Sequence, residues 1–351
     1  MLAAVLYGDR RIEVREIPEP EPGPGQVLLA PQYASICGTD QHVFQGEFRG
    51  RVEYPAVLGH EFSAVVEGVG EGVTGVVAGD RVTVDPIVPC MRCVACINGR
   101  LSACRRLRLL GIDLPGGFAQ RVVAPAHSCF RVPEAVTLHD AALTELFSLG
   151  IHACRRARIE PGDVVVILGA GKLGLSILSV ARLTAADTII VTDRRARRLG
   201  AAENLGADVV LNIAQVDPVA DVLERTDGEG ADRVIEAVGH ATPGITGKQP
   251  MTEAAEMVRS AGRVVVLGQG PDEEAVFWKP FVWKEAEIIA SRVTLGEFPR
   301  TLRMLERGRL HPELIVTHEL PLERVAEAFE LMLDPEAGAI KVLLEIPQAE
   351  G

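Results

Sequence analysis

A chain of 351 residues, 47% of them hydrophobic, is long enough to fold as two domains with cores of their own. A formal net charge of −12 argues against a nucleic-acid partner, which needs a basic face to displace counterions. The longest uncharged apolar run, around VVVILGA, is too short to span a bilayer, and the first residues, MLAAVLYGDRR, lack the basic and apolar stretches of a signal peptide. Seven cysteines are an odd count with four of them clustered, which suits metal-bound thiolates in a reducing compartment better than a secreted disulfide scaffold. The expected location is the cytoplasm, with no membrane partner.

In chain order, residues 1–12 form short alternating pieces, and PEPEPGPG (18–25) is a stiff extended connector, since each proline fixes φ and removes a donor. From Gln26 to Val132 the runs QVLLAPQYAS, AVVEGVG, GDRVTVDP and GFAQRVVAP, broken by Gly, Pro and Asp, predict short strands and a β-rich domain. HDAALTELFSLGIHACRRA keeps apolar residues at helical spacing and predicts a helix. Residues 163–290 then alternate. DVVVILG, DTIIVTD, DVVLN, RVIEAVG, GRVVVLGQ and AEIIAS predict strands, with KLGLSILSVARLT and RRARRLGAAENLG as helices among them. Near-continuous β-branched runs separated by helices imply an α/β domain with a parallel sheet covered on both faces. Residues from Glu297 to Gly308 read as helical, and the closing AIKVLLEIP as a strand returning to the first domain, which is therefore discontinuous.

Three sets of residues carry chemistry. Cys90, Cys93, Cys96 and Cys104 stand in CMRCVACINGRLSAC with the spacing C-x2-C-x2-C-x7-C. Four thiols this close can surround one tetrahedral zinc; an iron–sulfur cluster or two disulfides are the alternatives, but no second cysteine group or proline follows Cys104 as in ferredoxins. Four thiolates leave no open position, so such a zinc is structural. Cys37 in SICGTDQH, His60 and Glu61 in LGHEF, and Glu145 in LTELFS form a scattered second set with the mixed S/N/O character of a catalytic zinc. Taken singly, each has an ordinary reading as core or helix surface.

The third set is Gly169-Ala170-Gly171-Lys172-Leu173-Gly174, which follows a predicted strand and opens a predicted helix, the context a dinucleotide site demands. Gly169 permits the tight turn, Gly171 lets the backbone approach a pyrophosphate, and Gly174 allows helix to pack on strand; the N–H groups at the helix start bind phosphate oxygens. Asp193 ends the next strand, nineteen residues past Gly174. Its carboxylate can accept hydrogen bonds from the adenosine ribose and repels a 2′-phosphate, which favours NAD over NADP. The run Arg194, Arg195, Arg197 and Arg198 is the opposing signal; most of it reads as a solvated helix face, with Arg198 nearest Asp193.

At this point the chain resembles the zinc-dependent medium-chain alcohol dehydrogenase superfamily. The match runs through PEPGPGQVL, ICGTDQH, YPAVLGHEFSAVVEGVG, the four-cysteine lobe, GIDLPGGFAQ, LGAGKLG and GAIKVLLEI. TELFSLGIHACRRARIEPGD resembles the sorbitol (polyol) and threonine dehydrogenase branch, which has Glu at the position of Glu145 where simple alcohol dehydrogenases have Cys. Leu146 departs from that branch, which has Pro there, and HATPGITGKQPMTE (240–253) is longer and more polar than the usual connection; it is expected at the C-terminal edge of the sheet. The resemblance implies a GroES-like β-rich catalytic domain (1–148 and 291–351, with the zinc lobe at about 88–106) and a Rossmann NAD-binding domain (149–290), a doubly wound parallel sheet.

The same resemblance implies a catalytic zinc on Cys37, His60 and either Glu61 or Glu145, polarising the oxygen of a substrate alcohol while hydride passes to the nicotinamide. It implies a proton path through Thr39 to His42, and Asp40 accepting the free N–H of His60. Val238 and Gly268 join the glycine turn, Asp193 and Arg198 as cofactor contacts. A carboxylate at the metal suits a polyol, sugar alcohol or sugar acid as substrate, with Phe44, Phe48, Phe118 and Leu295 as candidate walls and Arg292 either meeting a substrate anion or bridging at the domain junction. Threonine dehydrogenase-like oxidation of an amino alcohol is the second enzyme reading, and a catalytically silent NAD-binding protein the non-enzyme one. The family forms homodimers and homotetramers by edge-strand pairing near residues 276–295, where Trp278, Phe281 and Trp283 read either as interface anchors or as core.

Overall fold

The computed structural model describes residues 1–48, 50–239, 243–269 and 275–348, and it divides into two compact units, Met1–Ser148 with Thr294–Gly351, and Leu149–Val293. The chain re-enters the first unit at Thr294, three residues after the point set from sequence.

In the first unit, the strand Gln26–Ser35 is the axis of a seven-stranded sheet. Its apolar positions Val27, Leu29, Ala30 and Ala34 are buried. It pairs antiparallel with Glu61–Val69 on one edge and with Val122–Pro125 and Lys341–Glu345 on the other. Arg81–Val84 and Cys129–Arg131 extend one side, and Val316–Pro321, parallel to Lys341–Glu345, closes the other. The register sets Ser35 opposite Glu61 on one side and opposite Leu343 on the other. A smaller sheet joins Ile12–Glu16, Leu2–Leu6 and Ala56–Val57. The closing AIKVLLEIP thus does return to the first unit, and residues from the two ends of the chain share one sheet.

Two sequence expectations for this unit change. The single helix expected over HDAALTELFSLGIHACRRA is two, Leu138–Ala141 and Thr144–Ala157. Thr137 caps the first by accepting from the Asp140 N–H at 3.0 Å, and Thr144 donates back to the Ala141 carbonyl at 2.8 Å where the second begins. Phe44 and Phe118, expected as pocket walls, are core. Phe44 stacks on Phe329 with centroids 4.6 Å apart, and Phe118 meets the same ring edge-on at 6.3 Å. Burying a side chain of this size is worth about 2–3 kcal/mol, which outweighs leaving it at a wet cleft. Phe48 and Leu295 are only partly buried.

The second unit is a six-stranded, wholly parallel sheet in the order Val209–Asn212, Thr188–Asp193, Val164–Leu168, Ala231–Glu236, Val258–Val266, Glu287–Ala290. Numbered within the unit, that is 3-2-1-4-5-6, the doubly wound Rossmann order, whose strand order reverses beside Val164–Leu168. Val165, Val166, Ile167, Ile189, Ile190, Val191, Val234, Ile235, Val264 and Val265 are all buried, as two covered faces require. Phe281 belongs to this core, so it is no interface anchor, whereas Trp278 is 56% and Trp283 75% exposed. The stretch 240–253 falls partly outside the described residues (240–242). Its remainder hydrogen-bonds Ile245 N to the Ile213 carbonyl at 2.7 Å and leads into the helix Pro250–Met257.

Candidate active site

The first unit assembles the scattered set. Cys37 immediately precedes the helix Gly38–Phe44, and its N–H donates to Asp40 Oδ2 at 2.8 Å. His60 and Glu61 come off Gly59, whose φ of +96° and lack of a side chain are both needed, since a Cβ there would stand 2.5 Å from the Phe118 ring. Among the described residues, ligand atoms of Cys37, His60 and Glu61 all lie within 4.8 Å of one another. A thiolate, an imidazole and a carboxylate at that separation suit one zinc and leave it an open position.

The polar atoms of the pocket support the fit. His60 Nδ1 stands 3.3 Å from Asp40 Oδ1, the neighbour expected from sequence, but the direction falls short of a hydrogen bond. Glu61 Oε2 accepts from the buried Lys341 ammonium and from the Ser35 hydroxyl, while Glu61 Oε1, equally buried, has no partner. Glu145 lies outside the three-residue set, at the start of Thr144–Ala157, and its buried Oε2 is also unpartnered. The two carboxyls are driven apart. Burial opposes ionisation of Glu61, but the Lys341 cation overrides it and holds Glu61 below the usual carboxylate range; burial, reinforced by the Glu61 charge, pushes Glu145 up. For His60, burial disfavours the cation, yet the Asp40 and Cys37 charges outweigh it and raise the pKa well above the ordinary value.

Thr39 and His42 lie one turn apart on the helix Gly38–Phe44, both partly buried. His42 Nδ1 pairs with Glu47, a partner that sequence reading missed. Lys341 and Ser35 were missed too, because no local signal ties them to Glu61.

The four-cysteine lobe closes on itself. The Sγ atoms of Cys90, Cys93, Cys96 and Cys104 all lie within 4.8 Å of one another and none is in a disulfide. Cys93 Sγ is 3.5 Å from that of Cys96 and 3.9 Å from that of Cys104, close to the edge of a tetrahedron with zinc–sulfur bonds of about 2.3 Å. Backbone N–H groups of Cys90 and Arg106 point at Cys104 Sγ, at 3.3 and 3.4 Å.

In the second unit, Gly169 has φ of +97°, and a Cβ on Gly174 would stand 1.8 Å from the Gly169 carbonyl oxygen, so no other residue fits there. Lys172 and Leu173 open the helix Lys172–Ala181. Asp193 Oδ2 accepts from Ala170 N and Oδ1 from Arg195 N, each at 2.9 Å, which fixes the carboxylate beside the turn. Arg198 is not a plain solvated residue. Its Nη1 is 3.8 Å from Asp193 Oδ2 and 3.6 Å from where a Gly171 side chain would begin. Val238 reaches to within 2.7 Å of the corresponding point on Gly169. Glu236, which sequence reading did not single out, organises this end of the sheet. Its carboxylate accepts from Val238 N and Gly239 N at 2.7 Å and from Gly268 N at 3.1 Å.

A mixed-ligand metal pocket in one unit and a glycine turn with its acidic strand end in a doubly wound other define a metal-assisted, nucleotide-dependent oxidoreductase. The chain belongs to the zinc-binding, medium-chain alcohol dehydrogenases, in the branch of the polyol and threonine dehydrogenases. Residues 23–134 match the alcohol dehydrogenase GroES-like domain, and residues 173–307 the zinc-binding dehydrogenase domain. The L-idonate 5-dehydrogenase of Vitis vinifera is 32% identical, covering 98% of this chain and 94% of that one. A solved alcohol dehydrogenase (rspB) from Escherichia coli CFT073, complexed with NADH, is 31% identical with a TM-score of 0.90, covering 98% and 99%. A zinc-binding dehydrogenase from Sinorhizobium meliloti 1021, bound to NADP, is also 31% identical with a TM-score of 0.90, covering 98% of each. No helix among the described residues is long and apolar enough to cross a membrane.

Proposed function

We propose that the protein is an NAD-dependent zinc dehydrogenase that reversibly oxidises a secondary alcohol of a polyol, sugar alcohol or sugar acid. The observation that carries this reading is the Cys37–His60–Glu61 cluster, whose one unpartnered carboxylate oxygen, Glu61 Oε1, is left to a metal. Zinc bound there supplies a Lewis acid for the substrate oxygen, and NAD supplies the hydride acceptor. Glu145, buried and with Oε2 unpartnered, offers a hydrogen-bonding group to a polar substrate or water beside the ligands. Thr39 and His42 carry the hydroxyl proton outward, with Glu47 tying Nδ1 of the imidazole. Cys90, Cys93, Cys96 and Cys104 hold a second, structural zinc that pins an arginine-rich lobe. In the Rossmann unit, the glycine turn, Asp193, Arg198, Val238 and Gly268 bind the dinucleotide. The fixed Asp193 carboxylate supports NAD over NADP, because it accepts from ribose hydroxyls and repels a 2′-phosphate.

The first unit is then the catalytic domain and the second the cofactor domain of a cytoplasmic enzyme. It assembles as a homo-oligomer through the sheet edge Glu287–Ala290 and the neighbouring exposed Trp278, Val282 and Trp283, apolar surface that is costly to leave wet. The test is NAD reduction by the zinc-loaded protein across polyols, sugar acids and threonine. Turnover on a polyol or sugar acid is expected. Turnover on threonine alone, or on no secondary alcohol with both metals bound, overturns the reading.

A further inference from the structure

Lys341 is a fully buried lysine in the middle of a sheet, at 0% exposure. An ammonium taken out of water costs several kcal/mol unless matched, so its partners identify what it is there to hold. Its Nζ donates to the Ile36 carbonyl at 3.1 Å and to Glu61 Oε2. Both partners adjoin the metal cluster, since Ile36 precedes Cys37 and Glu61 follows His60. Ser35 donates to the same Oε2. A carboxylate oxygen has two lone pairs, so two donors saturate Oε2 and leave Oε1 as the oxygen with open valence. The sheet register makes this geometry rigid, because Ser35 is paired to Glu61 on one side and to the Lys341 strand on the other.

We propose that Lys341 is the positioning residue of the catalytic metal site. It pins Glu61 by one oxygen and presents the other to the metal. The proposal rests on the reading of Cys37, His60 and Glu61 as a metal site. A lysine that merely balanced a buried charge would leave the metal's ligand set unchanged when replaced.

The experiment uses the full chain with zinc, and with cobalt as a spectroscopic probe, in the wild type, Lys341→Met, Lys341→Arg, Glu61→Gln and Glu145→Gln. Metal affinity at the mixed site is read by chelator competition, and its ligand set by the visible cobalt bands, with the four-cysteine lobe as an internal reference. Lys341→Met is expected to lose about tenfold or more in affinity at the mixed site, the range for residues that orient metal ligands, and to shift its cobalt bands while the lobe keeps its metal. Lys341→Arg should recover most of both. Glu145→Gln should weaken metal binding strongly only when combined with Lys341→Met. Wild-type affinity and bands in Lys341→Met overturn the proposal. If Lys341→Met does not fold, the single carboxamides decide. Loss of metal in Glu61→Gln but not in Glu145→Gln supports the assignment, and the reverse overturns it. A wild type with no metal at the mixed site sinks this inference and the proposed function together. Metal bound with no turnover sinks only the function, and an unmoved Lys341→Met sinks only the inference.

Discussion

Replacing Asp85 by Asn should stabilise the protein, and by an amount that depends on pH. Asp85 is buried in the first unit. It accepts from the Thr294 hydroxyl at 3.0 and 3.1 Å and from Ile87 N at 3.3 Å, and no cation faces it among the described residues. Burial, with the Glu297 charge adding to it, raises its pKa from 3.8 to about 6 against the pull of those hydrogen bonds. The folded state therefore holds a proton that the unfolded state has released, and stability falls as pH rises from 3.8 through 6. A rise of 2.2 units, 6 minus 3.8, corresponds to about 3 kcal/mol lost above the window. Asparagine keeps an acceptor for Thr294 and Ile87 and carries no charge. The variant should gain about 3 kcal/mol at pH 8 and roughly half of that at pH 5, by the same linkage. The assay is the thermal midpoint of zinc-loaded wild type and variant at both values, where each kcal/mol moves a domain of this size by about 2–4 °C. An equal gain at both values, or a loss at pH 8, refutes the reasoning.

Cys37→Ser should remove one zinc per chain and abolish turnover while the four-cysteine lobe keeps its own, as measured by metal analysis beside activity. Gly174→Ala puts a methyl 1.8 Å from the Gly169 oxygen and should eliminate NADH binding, read by fluorescence titration, while zinc content stays intact. Glu236→Ala leaves the N–H groups of Val238 and Gly239 without their acceptor, while Gly268 N keeps the Glu236 backbone carbonyl, and should weaken NADH binding by about tenfold with unchanged zinc, at roughly 1 kcal/mol or more in total. Trp283→Glu, at an exposed position beside the sheet edge, should lower the sedimenting mass without unfolding the chain; an unchanged mass means that this face is not the interface.

What the sequence made legible is what lies close together along it. The four cysteines fall within one short lobe, and the glycine turn sits between its own strand and helix, so spacing and local context suffice to single both out as candidate sites. Cys37, His60 and Glu61 were legible only as separate fragments, joined by resemblance. Lys341 is one polar residue in an apolar strand, and its meaning depends on a long-range contact with Glu61, set by the pairing of its strand with Gln26–Ser35, that no local pattern encodes. Glu236 was hidden similarly, since its three partners lie on two different loops. Phe44 and Phe118 were misjudged, and Phe281 was left open between anchor and core, for a related reason. Phe44, Phe118 and Phe281 find neighbours from distant segments, and exposure is decided by those neighbours and not by the residue type.

The insertion of the nucleotide-binding unit into the middle of the first one has a consequence for synthesis. Translation delivers Cys37, His60 and Glu61 early, then the whole of the inserted unit, and only afterwards the strand bearing Lys341. Until that strand arrives, the nascent sheet has a vacant lane beside Gln26–Ser35 and an acid with no counterion. A polypeptide halted before that lane is filled can complete its nucleotide fold and still be unable to mature its metal pocket.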